Sequence, residues 1–156
     1  MANIKKILIV CTGNSCRSKM AEGYLKKRLK ELGMNMLVSS AGTGTVPGMM
    51  PTNEAIALMR EEGIDISGYL SSNLNKMLID NSDLILVMEP HHKEKVLDLV
   101  PEAKDKIRLL KEFSTHNNIL KQVSIEDPIG KPIEFYKKVF EIIKDSLEGF
   151  LKWLKK

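Results

Sequence analysis

The sequence predicts an α/β fold, a three-layer sandwich with a central four-stranded parallel sheet. Two observations carry this. The short apolar runs KILIV (6–10) and DLILVM (83–88) are continuous rather than alternating, as in strands covered on both faces. Strand-like and helix-like segments also alternate along the chain, which calls for parallel pairing through right-handed crossovers.

In order, Lys6 to Val10 make the first strand. Ser18 opens a helical pattern with Met20, Ala21, Tyr24, Leu25, Leu29 and Leu32 on one side, ending at Gly33. Met36 to Ser40 form a second strand, and AGTGTVPGMMP, rich in glycine and proline, is a loop. Pro51 to Gly63 restart a helix, with Pro51 in its first turn and Gly63 as its C-terminal cap. Leu74 to Leu78 are a short helix, Asp83 to Met88 the third strand, and Pro90 the start of the next helix. Lys106 to Leu110 are the fourth strand. A polar loop runs from there to Pro132, and Glu134 to Leu154 are a long amphipathic helix striped by Val139, Ile142, Ile143, Leu147, Phe150 and Leu154.

At 156 residues this is expected to be a single domain, 1–156. The 43% hydrophobic and 28% charged content is ordinary for a globular protein, and no apolar run approaches membrane-span length. MANIKK lacks the following apolar segment of a signal peptide. Two cysteines are too few for a disulfide scaffold, which places the protein in a reducing cytoplasm. The net charge of +4 eases the approach of an anion, though solubility is the plainer reading. No nucleic-acid or membrane partner is expected, and the terminal WLKK reads as a last helical turn whose lysines complement the helix dipole. Oligomeric state is not encoded legibly.

Both cysteines fall in CTGNSCRS (11–18), where the first strand gives way to a helix. In an open α/β sheet the ligand crevice lies beyond the carboxyl ends of the strands, which puts Cys11 at its edge. Gly13 and Asn14 tolerate left-handed angles, so Thr12 to Cys16 can curl with their N–H groups inward. Such a nest at a helix N-terminus binds a tetrahedral oxyanion, making this a phosphate-binding loop. Arg17 adds a planar fork for two oxygens of that anion. The same groups favour a thiolate at Cys11, and Ser18 can donate a hydrogen bond to it. A buried structural cysteine is the commoner fate of Cys11 taken alone, but its spacing to Arg17 and Ser18 favours a nucleophile. A nucleotide P-loop lacks its second glycine here. Zinc is disfavoured because the thiols are five apart, and the adjacent His91 and His92 are expected to diverge on a helix.

With its leading strand, VCTGNSCRS followed by MAEGYL resembles the low-molecular-weight protein tyrosine phosphatase family, which includes bacterial protein arginine phosphatases and thioredoxin-coupled arsenate reductases. SAGT, EEGIDISGY, DLILVMEPHHKE and EDPIGKP extend the likeness over the whole chain. The resemblance implies Cys11 as nucleophile, Arg17 as phosphate clamp, Thr12, Gly13, Asn14, Ser15, Cys16 and Ser18 as the binding loop, and Ser40 as the brace of the loop asparagine. It implies Asp127 as general acid, then general base. A phosphocysteine pathway needs such a group, because the leaving oxygen or nitrogen requires a proton. Pro128 holds Asp127 in extended backbone; Glu126 is its neighbouring competitor, and an ordinary Asp-Pro turn is the plain alternative. Glu89 reads equally as a supporting carboxylate or a surface helix start. For Cys16 the resemblance implies a reversible disulfide with Cys11; a small loop-packing residue is the other reading.

The departures concern substrate. Where tyrosine phosphatases of this family wall the cleft with aromatic rings, this chain has Val46, Met49, Met50 and Ile129. Ser15 puts a small hydroxyl in the loop, which together with the DPIGKPIEFYK run brings phosphoarginine forward beside phosphotyrosine. The family's histidine near ISG is absent, with Tyr69 in its neighbourhood. The expected partner is a phosphorylated protein, and no metal or organic cofactor is implied. The alternative is arsenate reduction through the same loop with an external thiol, since no further cysteines exist to relay a disulfide. A non-catalytic phosphate-binding module is the remaining alternative, although nothing in the loop is missing.

Overall fold

A computed structural model describes residues 3–115 and 124–156. Its four strands are β1 (Lys6–Cys11), β2 (Leu37–Gly42), β3 (Leu84–Val87) and β4 (Ile107–Leu109), paired in parallel in the order β2-β1-β3-β4. The helices are α1 (Arg17–Glu31), α2 (Asn53–Glu61), α3 (Lys76–Asn81), α4 (Pro90–Leu99) and α5 (Ile133–Leu154). The predicted parallel α/β sheet is therefore present. Its strand order reverses between β1 and β3, so the turn after β1 opens at the topological switch point, where such sheets bind ligands.

Side chains of β1 alternate between two cores. Ile7 and Ile9 face a cluster with Met20 and Leu25 of α1 and Phe140, Ile143 and Leu147 of α5; Leu8 and Val10 join Ile85, Val87, Val96 and Ile107 on the other side. Burial on both faces is why the strands read as unbroken apolar runs. The stripes predicted for α1 and α5 are confirmed at their centres, with Leu32, Ile142 and Leu154 only partly buried at the margins.

Several boundaries differ from the sequence reading, each for a local reason. β2 continues through Ala41 and Gly42, which pair with Val10 and Cys11. A Cβ at Gly42 would stand 2.5 Å from the Thr12 carbonyl oxygen, so glycine lets β2 run against the turn. Pro51 lies outside α2, because Thr52 takes the capping position and accepts from the Ala55 N–H at 3.3 Å. α3 starts later than expected, after Asn75 caps the Leu78 N–H. β4 is only Ile107–Leu109: Lys106 belongs to the preceding 3₁₀ turn and donates to the Ile79 and Ser82 carbonyls. Residues 116–123 of the polar loop before α5 lie outside the described residues. The terminal turn packs Trp153 on Phe113 and Phe150, consistent with a helix end seated on the fold. Among the described residues no helix is long and apolar enough to cross a membrane.

Candidate active site

β1 delivers Cys11 to the rim, and the chain then curls through Thr12 to Cys16 before α1 begins at Arg17. Asn14 adopts φ +53°, a left-handed conformation that asparagine accepts more readily than most residues. The curl is tied to its surroundings through its carbonyls. Cys11, Thr12 and Ser15 accept N–H bonds from Thr43, Gly44 and Thr52 at 2.9, 3.0 and 3.0 Å. The Asn14 N–H instead points at the Cys11 Sγ, 3.2 Å away.

Asn14 is wholly buried, and its side chain organises the turn. Its Nδ2 donates to Ser18 Oγ (2.7 Å) and Ser40 Oγ (2.9 Å), while its Oδ1 accepts the Ser72 N–H at 2.8 Å. With the Ser18 oxygen occupied by Asn14, the Ser18 hydroxyl hydrogen is free to donate to Cys11 Sγ, 2.9 Å away. The structure thus brings Asn14 and Ser18 to the sulfur, with Ser40 behind them on the Asn14 amide.

Arg17 is 2% exposed. Its Nη1 donates to Glu89 Oε2 and to the Ile125 carbonyl, each at 2.6 Å, and its Nη2 lies 3.7 Å from Asp127 Oδ2. Glu89 is therefore a partner of the arginine rather than a free surface group. Burial pushes its carboxyl up, but the Arg17 hydrogen bond and charge outweigh this and hold it below the usual range. Asp127 stands exposed at the rim, its Oδ1 accepting the Ile129 N–H at 3.1 Å, and Glu126 beside it is exposed as well. Cys11, Gly13, Ser15, Cys16, Arg17, Asp127 and Ile129 line one small pocket. Val46, Met49, Met50 and Ile129 are all exposed, and of these Ile129 lines the pocket.

Cys16 is buried among Ser15, Thr52 and Tyr136, its sulfur 3.7 to 3.8 Å from their hydroxyls. Burial pushes its thiol up.

One participant escaped the sequence reading. His92 is fully buried under the loop. The Glu89 N–H donates to its Nδ1 at 3.1 Å, so the proton sits on Nε2 and donates to Thr12 Oγ1 at 2.8 Å. The expectation that His91 and His92 diverge is corrected, since their rings lie with centroids 4.1 Å apart. Both belong to the first turn of α4, where His92 tucks in against Thr12. Glu89, His91 and His92 do converge, but both His92 nitrogens are already engaged. Burial, reinforced by His91 and Arg17, pulls the His92 pKa from 6.5 down to about 3. The depressed folded value means that stability is retained above pH 6.5 and lost as pH falls toward 3, where the unfolded chain takes up the proton first. We expect His92→Gln to flatten that segment of the urea-midpoint profile; an unchanged slope would place the acid sensitivity elsewhere.

Comparison with known proteins places these features in context. The family model for low molecular weight phosphotyrosine protein phosphatase matches residues 6–156. A protein-arginine-phosphatase of Bacillus subtilis is 35% identical over 152 residues, covering 96% of this chain and 97% of its own. The crystal structure of a low molecular weight protein tyrosine phosphatase from T. tengcongensis has a TM-score of 0.87 at 36% identity, covering 95% of this chain and 98% of its own. Arsenate reductase 2 of Staphylococcus haemolyticus is 34% identical over 146 residues, covering 94% of this chain and 95% of its own.

Proposed function

Since the chain belongs to the low molecular weight phosphotyrosine protein phosphatase family and is a phosphatase, we propose that it hydrolyses protein phosphotyrosine or phosphoarginine through a phosphocysteine at Cys11. The observation that carries this reading is a sulfur that receives the Asn14 N–H at 3.2 Å and faces the Ser18 hydroxyl at 2.9 Å, in a pocket shared with Arg17 and Asp127.

The phosphoryl group enters the pocket with its oxygens on the loop N–H groups and the Arg17 guanidinium. Fixing Nη1 through Glu89 and Ile125 orients the planar fork before the anion arrives, so little ordering remains for binding. Cys11 Sγ attacks phosphorus, the bond to the leaving oxygen or nitrogen breaks, and Asp127 supplies the proton. The resulting carboxylate takes a proton from water, whose oxygen attacks phosphorus. The S–P bond breaks, and phosphate leaves with the thiolate restored. An exposed Asp127 at the pocket rim suits a group that must meet both leaving group and water.

Ile129 lines the pocket, and the family resemblance adds the exposed Val46, Met49 and Met50 to its rim. Such an apolar rim can hold either an aryl or an alkyl-guanidinium side chain, so the substrate choice is put to a direct assay. Phosphotyrosine and phosphoarginine peptides are compared side by side, with arsenate-dependent thiol oxidation measured in parallel. Release of phosphate from at least one peptide is expected. Arsenate-dependent thiol consumption with neither peptide hydrolysed would favour reduction instead.

The two thiols share one loop, which supports Cys16 as the resolving partner of an oxidised Cys11. Peroxide converts the Cys11 thiolate to a sulfenic acid, and the Cys16 thiol displaces its hydroxyl as water to form the disulfide. Activity lost to peroxide should return under dithiothreitol in the parent, and return markedly less in Cys16→Ser. Equal recovery would remove the disulfide from the scheme.

A further inference from the structure

Lys19 occupies an unfavourable place. It is 4% exposed, on the first turn of α1, where the helix dipole opposes a cation. Lysine is almost never buried without a partner, and here its Nζ lies 3.4 Å from Glu22 Oε1. Glu22 is itself buried at 6% exposure. Its other oxygen takes Lys26 Nζ at 2.6 Å, but Lys26 is 40% exposed and its charge is correspondingly screened. Lys26 also lies 4.5 Å from the centre of the Tyr69 ring.

Glu22 does not end in this ion pair. Its Oε1 accepts the Ser40 hydroxyl at 2.6 Å, which fixes the direction of each later hydrogen bond. Having given its hydrogen to the carboxylate, Ser40 must accept, and it accepts from Asn14 Nδ2 at 2.9 Å. The same amide donates to Ser18 at 2.7 Å, leaving the Ser18 hydrogen for Cys11 Sγ at 2.9 Å. A neutral carboxyl could donate to Ser40 and undo this polarity; an ionised one cannot. Burial pulls the Lys19 pKa down, while Glu22 and, more weakly, Cys11 pull it up, so the ammonium senses both ends of the network.

We propose that Lys19 and Glu22 are positioning residues for Cys11: a buried ion pair that sets the direction of the Ser40–Asn14–Ser18 hydrogen bonds reaching the sulfur. This rests on the reading of Cys11 as nucleophile. The role is not a contact with substrate but the alignment of donors on the attacking atom.

The test is steady-state hydrolysis of an aryl phosphate against pH for the parent, Lys19→Met, Glu22→Gln and the double variant, each shown folded by circular dichroism. Each single change is expected to lower kcat about tenfold with KM little altered, and to move the acidic limb of kcat/KM to higher pH. The double variant should lose no more than the worse single, because the pair acts through one path. A folded Lys19→Met with the parent's kcat and pH limb would overturn the proposal, as would fully additive losses. If Lys19→Met does not fold, the near-isosteric Glu22→Gln decides by the same readouts. Cys11→Ser separates the two levels: turnover surviving in it removes the nucleophile assignment itself, whereas an inactive Cys11→Ser beside an unaltered Lys19→Met removes only the positioning role.

Discussion

Replacing Cys11 by serine should abolish turnover of an aryl phosphate while leaving inorganic phosphate bound. The exchange is nearly isosteric, so the Asn14 N–H and Ser18 hydroxyl that contact the sulfur at 3.2 and 2.9 Å keep a partner. The curl is also held from outside, by the Thr43, Gly44 and Thr52 N–H bonds to its carbonyls, none of which involves the cysteine side chain. Arg17 stays braced by Glu89 and Ile125. Anion affinity should therefore change little, as read by calorimetry with phosphate. Chemistry is different, because a serine hydroxyl ionises far less readily than a thiol. A loss of kcat on the order of 10⁴-fold or more is expected for removal of a nucleophile. Turnover within tenfold of the parent would place the reacting atom elsewhere.

Asp127→Asn should divide substrates by leaving group. Phosphotyrosine leaves poorly as an anion, and losing the general acid should cost about 10²–10⁴-fold in kcat. An aryl phosphate with a strongly activated leaving group needs no proton, so its loss should be far smaller. Equal losses on both would remove Asp127 from proton transfer and leave it a charge near Arg17, whose Nη2 lies 3.7 Å away. Glu126→Gln is the comparison. Glu126 is exposed next door, yet it does not line the pocket that contains Cys11, Arg17 and Asp127, so little effect is expected.

The loop was legible in the sequence because its parts are contiguous. A strand end, a residue able to take positive φ, two thiols and an arginine all fall within CTGNSCRS. Ser40 and Asp127 came from the resemblance, since β2 and the loop before α5 reach the rim only after folding. What stayed hidden acts through position rather than residue type. Ser72 contributes a backbone N–H, which no side chain advertises. His92 was expected only to diverge from His91 on a helix, yet Pro90 starts α4 soon after β3 and turns that ring under Thr12. Glu22 reads as an ordinary helix glutamate until Ser40 and Lys19 are seen to converge on it. The errors in element boundaries have the same origin. Thr52 and Asn75 cap their helices with side chains, whereas proline and apolar spacing suggested earlier starts.

The most direct test is rapid acid quench of Asp127→Asn with an activated aryl phosphate, followed by mass spectrometry of the peptide carrying Cys11. Loss of the residue that activates water should let a covalent adduct build up. Phosphate on the Cys11 sulfur, at close to one per enzyme molecule, is the outcome our account requires. Brisk product release with that peptide unmodified, or with the label on Cys16, would contradict it.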